Sequence, residues 1–181
     1  YQFETAHPFL DGNGRLGRLL ITLMLINDGV LHSCLFYPSF QFKKNRSEYY
    51  RQLTSVRERG TYEEWIEFFC ASLLESAKDS VGSLKNLVDL HNRSTATITE
   101  NLGRTAANGQ RLLGILEEHP IVDTAFIAAQ LDIGRSTASS LVKSFEELNI
   151  LRPLDESKQR YRRYGYEEYL SILREDAEPI R

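Results

Sequence analysis

With 181 residues, of which 41% are hydrophobic, the chain holds enough apolar material for one ordinary domain or two small ones and is expected to fold. A net charge of −3 gives no global attraction for nucleic acid or an anionic membrane, so such partners would need a local patch. The most apolar run, residues 19–26, falls far short of the ~20 residues that cross a bilayer, which points to a core helix and no membrane partner. Cys34 and Cys70 lie in apolar stretches without metal or redox spacing, which favours reduced, buried thiols and a cytoplasmic setting. No initiator Met or signal-like start precedes Tyr1-Gln2-Phe3, so the chain reads as a fragment whose N-terminal part is missing.

In chain order, Leu16, Leu19, Leu20, Leu23, Leu25 and Ile26 predict a helix over residues 15–31 that is hydrophobic most of the way round, ended by Gly29. After Pro38, helical patterns recur at 45–59 and 61–78, the second with Trp65, Ile66, Phe68, Phe69, Leu73 and Leu74; Trp65, Phe68 and Phe69 are expected in the core. A further amphipathic stretch at 79–102 places Val81, Leu84, Leu87, Val88 and Leu90 on its apolar side. Ala106-Ala107-Asn108-Gly109 interrupts the pattern with small and turn-forming residues and is the best linker, dividing residues 1–105 from 109–175. Beyond it come a helix at 109–118, a turn at Pro120, a short helix at 124–131, Gly134 and a helix at 135–148. Strands at 151–154 and 160–164, joined by a polar tip at 155–158, complete the series. The fold class is thus mainly α, with the second part ordered as a winged helix-turn-helix carrying a small β-hairpin.

The chemistry concentrates in His7-Pro8-Phe9-Leu10-Asp11-Gly12-Asn13-Gly14-Arg15-Leu16-Gly17-Arg18. A Gly-Asn-Gly turn leads into a helix N-terminus, where free N–H groups and the positive end of the dipole favour a phosphate. Arg15 and Arg18, three apart, can face the same anion. Asp11 can hold a divalent cation through carboxylate oxygen, the ligand type Mg²⁺ takes together with substrate phosphates. His7 is left as a base of near-neutral pKa, suited to take a proton from an attacking hydroxyl. Gly12 to Gly17 also satisfy Gly-x-Gly-x-x-Gly, but no strand precedes and no βαβ unit follows, which excludes a dinucleotide fold. A P-loop is excluded by the missing Gly-Lys-Ser/Thr.

These residues fit His-x-Phe-x-(Asp/Glu)-Gly-Asn-Gly-Arg-x-x-Arg at every specified position, and the segment resembles the active-site loop of the Fic family (filamentation induced by cAMP). The resemblance implies a helical Fic core and AMP transfer from Mg-ATP to a Ser, Thr or Tyr hydroxyl of a target protein. By position, His7 resembles the general base and Asp11 the Mg²⁺ ligand. Gly12, Asn13 and Gly14 resemble the phosphate-binding turn, Arg15 and Arg18 the phosphate clamps, and Phe9 the residue that anchors the loop in the core. Lys44-Asn45-Arg46 and Tyr49-Tyr50 resemble the segment lining the nucleotide base, with Asn45 and Tyr49 as nucleotide contacts; packing in a helix is an equal alternative for the tyrosines. Fic enzymes carry a β-hairpin flap upstream of the loop, and residues 1–6 hold none, so the fragment by itself is expected to be poorly active. The family's inhibitory pattern (Ser/Thr)-x-x-x-Glu-(Gly/Asn) has its nearest counterpart at 171–175 before Asp176 and does not match in full. His32, His91 and His119 have no comparable neighbours and are expected to be structural.

In the second part, Arg135, Ser136, Thr137, Ser139, Ser140 and Lys143 form the exposed side of the expected recognition helix, and polar, small and basic residues suit a DNA groove. Lys158, Arg160, Arg162 and Arg163 would add a basic wing able to neutralise backbone phosphates. Acids and bases nearly balance across 110–174, so protein contact or homodimerisation stands beside DNA binding. Three functions therefore compete: a Fic adenylyltransferase, a Fic enzyme using another donor (UMP, phosphocholine or phosphate), and a nucleotide-responsive DNA-binding regulator. An intact His7 favours an enzyme, because nucleotide sensing needs the turn and the arginines but no base.

Overall fold

The computed structural model describes residues 1–32, 38–155 and 162–175, and these are mainly helical. They fall into two compact units, one within Tyr1–Ser83 and one over Leu84–Glu175. In the first, α1 (Gln2–Ala6) ends at His7, whose left-handed φ of 46° takes the chain out of the helix. The loop enters α2 (Asn13–Asn27) through Gly12 at φ 80°, a conformation that glycine adopts without a Cβ penalty. α2 stops at Asp28, and Gly29 follows at φ 70°, the expected C-terminal signal. α3 (Ser39–Lys44) and α4 (Arg46–Arg59) meet at Asn45, α4 closes on the left-handed Gly60, and α5 (Tyr62–Asn101) contributes its residues up to Ser83 to this unit.

The core of the first unit is aromatic: Phe42, Tyr49, Val56 and Trp65 are buried, with Tyr1, Ile21, Leu53, Phe68, Phe69 and Leu73 packed against them. On α5 the buried positions Trp65, Ser72 and Ser76 follow the helical period, which turns Ile66, Cys70 and Leu74 outward. Cys70 is therefore a free, exposed thiol, contrary to the expectation of burial, while Cys34 lies outside the described residues. α2 also departs from its apolar sequence. Only Asn13 and Thr22 are buried, and Leu16, Leu19, Leu23 and Met24 are exposed, because the described residues cover α2 on one side only.

The helices expected at 61–78 and 79–102 are one continuous element, since no proline interrupts them and Gly82 alone costs only about 1 kcal/mol in a helix. In the second unit its apolar side is Leu87, Leu90 and Ile98, whereas Leu84 and Val88, and Val81 before them, are exposed. A 3-10 turn (Gly103–Thr105) breaks the chain before α6 (Ala106–Glu118), so the stretch 106–109, whose small residues suggest a linker, is helical. Gly109 is there for close approach: a Cβ on it would meet Ile98 Cγ2 and Leu102 Cδ1, each at 2.7 Å.

β1 (Ile121–Asp123), α7 (Thr124–Leu131), α8 (Arg135–Glu147), β2 (Arg152–Pro153), β3 (Arg163–Gly165) and α9 (Glu167–Glu175) complete the second unit. Asp123 caps α7 by accepting the Phe126 N–H at 2.8 Å. The sheet has the order β1-β3-β2 with both pairs antiparallel, Val122 and Pro153 each opposite Tyr164. β2 lies within the strand expected at 151–154, and β3 shares Arg163 and Tyr164 with the one expected at 160–164, whose residues 160 and 161 lie outside the described residues. β1 falls between the expected Pro120 turn and the helix at 124, where the sequence predicts no strand; Pro153 sits on edge strand β2, where its missing donor is tolerated. Ala138, Leu141, Val142 and Phe145 carry α8 into a core shared with Leu112, Leu113, Leu116, Ile127, Leu131, Leu151 and Tyr166.

Candidate functional site

The loop between α1 and α2 is closed by one side chain. Asn13, 1% exposed, accepts the Phe9 N–H through Oδ1 at 2.9 Å and donates through Nδ2 to the Phe9 carbonyl at 2.5 Å, pinning the loop across the α2 N-terminus. Asp11 Oδ1 accepts the Gly12 N–H at 2.6 Å, and its Oδ2 lies 3.5 Å from Arg15 Nη2, with both side chains largely exposed. His7 is exposed at the α1 terminus, with Nδ1 3.3 Å from the Glu4 carbonyl. Among the described residues no side-chain cap bond is made at the α2 N-terminus, which begins on Gly12. Arg18 Nε is buried and has no hydrogen-bond partner among the described residues.

Glu4 is a contributor that the sequence did not single out. Its carboxylate packs on α2, where a Cβ on Gly17 would come within 2.6 Å of Oε1, and it accepts the Tyr49 hydroxyl at 3.3 Å. No local pattern signals this, because the contact is made by the approach of α1 to α2. Tyr49, a proposed nucleotide contact, is buried among Phe42, Tyr50 and Trp65, and burial together with the Glu4 charge raises its pKa. Asn45 is exposed but ties back to the Gln41 carbonyl at 3.2 Å. Phe9 does not anchor the loop in a core: its ring is 52% exposed with Phe3 at 6.4 Å, and the anchoring falls to its backbone.

A cavity of about 330 Å³ beside α2 is lined by Arg15, Arg18, Thr22, Ser39 and Lys43 among others. A larger one of about 530 Å³ lies against the aromatic core, between residues such as Phe3, Leu20 and Trp65, and its described lining is mostly apolar apart from polar groups such as the Glu4 carboxylate. Among the described residues no three His, Cys, Asp or Glu side chains cluster as a metal site, so Asp11 would act with ligands supplied by substrate or water.

Residues 1–25 match the model of the Fic/DOC family. That stretch contains the whole loop from His7 to Arg18 and most of α2. The chain is also 30% identical over 89 residues to the protein adenylyltransferase fic-1 of Caenorhabditis elegans, covering 49% of this chain and 16% of that protein. A probable protein adenylyltransferase of Aquifex aeolicus is 38% identical over 56 residues, 31% of this chain and 15% of its own length. The chain thus spans only 15–16% of the length of these relatives. These similarities support the Fic resemblance read from the loop.

Beyond the Fic segment, the second unit exposes Arg135, Ser136, Thr137, Ser139, Ser140 and Lys143 on α8, and Lys143 lies 3.9 Å from Glu147. A cavity of about 350 Å³ brings Arg135 and Ser139 together with Arg162 and Tyr164. Arg163 is exposed on β3, while Lys158 and Arg160 lie outside the described residues. Residues 171–175, the nearest counterpart of the inhibitory pattern, belong to α9, and Asp176 lies outside the described residues. No helix among the described residues is long and apolar enough to cross a membrane.

Proposed function

We propose that the chain carries the loop of a protein adenylyltransferase that moves AMP from ATP to a Ser, Thr or Tyr hydroxyl of a target protein. The observation that carries this reading is the pinned loop, which sets an exposed histidine, an uncapped helix N-terminus and an arginine with an unpartnered buried nitrogen in one short segment. With Nδ1–H donated to the Glu4 carbonyl, His7 presents the Nε2 lone pair as a base. The α2 N-terminus and the two arginines then bind the phosphates. The acceptor oxygen bonds to the α-phosphorus, the bond to the β-phosphate oxygen breaks, pyrophosphate leaves and the hydroxyl proton passes to His7. Asp11 fits a Mg²⁺ that takes one carboxylate and otherwise water and phosphate, and that ion would neutralise phosphate charge. The relatives named as protein adenylyltransferases support ATP and a protein target.

Incubating the complete protein with α-labelled and γ-labelled ATP separates the competing chemistries. His7-dependent incorporation of the α-label into protein is expected. Incorporation of the γ-label would replace AMP transfer by phosphotransfer, and nucleotide binding without incorporation would favour a sensor.

A second activity is favoured by the cavity that gathers Arg135, Ser139 and Arg162. With α7 and α8 as a helix-turn-helix and β2–β3 as a wing, these residues would meet a DNA backbone. Replacing Arg162 and Arg163 by Ala should flatten the salt dependence of duplex binding by up to about one slope unit each. Absence of salt-sensitive binding would leave the unit as a protein-contact or dimerisation module.

A further inference from the structure

We infer that the cavity beside α2 holds the distal end of a polyphosphate, with Lys43 as a third cation beside Arg15 and Arg18. Resting on the nucleotide reading above, this assigns a further residue, Lys43, to the outer phosphates of the nucleotide already proposed. The cavity, at about 330 Å³, falls within the range of small-ligand pockets, roughly 300–1,000 Å³. Its described lining carries three cations and the Thr22 and Ser39 hydroxyls, and no carboxylate. Arg15 alone of the three has an acidic partner among the described residues, Asp11 at 3.5 Å. Arg18 Nε is buried without a partner, a state that costs free energy until an acceptor arrives.

Lys43 stands in the last turn of α3 and lines the same cavity as the α2 arginines. A single phosphate seated at the α2 N-terminus is served by the backbone N–H groups, whereas a chain of phosphates extends along the arginines into the cavity. There the ammonium group meets it as a point charge. Affinity should therefore rise with the number of phosphates, and Lys43 should account for part of the rise.

The test is calorimetry of the full chain, without magnesium, using AMP, ATP and inorganic tripolyphosphate as probes. Lys43→Met is expected to bind tripolyphosphate and ATP about tenfold more weakly, the loss of one charge-assisted contact, while AMP affinity stays and Lys43→Arg restores the difference. Tripolyphosphate affinity within about twofold of wild type, below what one charged contact contributes, would overturn the inference. So would an equal loss for AMP, or a wild-type chain that ignores tripolyphosphate at millimolar concentration. The transfer assay reads separately. AMP transfer with Lys43-independent binding overturns this inference alone, and Lys43-dependent binding in a protein that transfers nothing overturns the transferase reading alone.

Discussion

His7 occupies the left-handed region at φ 46°, which for a residue with a Cβ costs on the order of 1–3 kcal/mol and persists only where neighbours impose it. Here the last α1 bond imposes it, the His7 N–H donating to the Phe3 carbonyl at 3.1 Å. If the imidazole is the base, His7→Ala should bind ATP normally and transfer AMP ~10² to 10⁴-fold more slowly. An initial-rate assay checks this, and a variant keeping more than about a tenth of the wild-type rate would remove histidine from the chemical step. Asn13 has the opposite signature. Asn13→Ala strips both Phe9 backbone groups of their partner, and urea unfolding should show a loss of about 1–3 kcal/mol for a buried pair left unsatisfied. Unchanged stability would mean that water replaces the amide. The residue types of the loop were legible because the chemistry is local and dense. Asn13 reads from sequence as part of the phosphate-binding turn, and only the structure shows the further use of its side-chain amide, which is committed to the loop. Glu4 and Lys43 were illegible, since only the approach of α1 and α3 to α2 gives them a role.

Among the elements, α7 and α8 were legible to within a residue, because their apolar spacing is regular and Gly134 separates them. β1 was not. A strand of three residues has no period to detect, and its partner β3 lies far along the chain. The stretch at 106–109 misled for a different reason: small residues signal a break when the neighbours are unknown, but here they let α6 approach Ile98 and Leu102. Gly109→Ala decides between the two meanings. In a linker or an open helix, Ala would be neutral or gain about 1 kcal/mol from propensity. With contacts of 2.7 Å to a β-branched side chain and to Leu102, overpacking of about 1–3 kcal/mol should dominate, and thermal unfolding should show a net loss. A stabilised variant would mean that α5 and α6 separate at little cost.

At the scale of the molecule, each compact unit buries a tyrosine hydroxyl that has a definite partner. Tyr49 meets Glu4 in the first, and Tyr166 meets Ser94 Oγ at 2.8 Å in the second. Burial is the leading cause that raises both pKa values, Tyr166 to about 12. A group whose folded pKa lies above its unfolded value favours the native state below the unfolded pKa. That contribution is lost as pH rises from about 10, the unfolded tyrosine value, to about 12. The second unit should therefore weaken steeply across that window, although neither acid nor neutral conditions touch these groups. Tyr166→Phe keeps the ring in the core but removes both the titration and the Ser94 bond, so it should cost a little stability at pH 8 and flatten the alkaline decline. The chain has a single tryptophan, Trp65, and it lies in the first aromatic core, so its fluorescence reports that unit while ellipticity reports both. In urea titrations at pH 8 and at pH 11, the Trp65 transition should be indifferent to Tyr166→Phe, whereas the ellipticity transition should lose its pH dependence in part. A variant that declines with pH as steeply as wild type would assign the alkaline sensitivity to groups other than Tyr166.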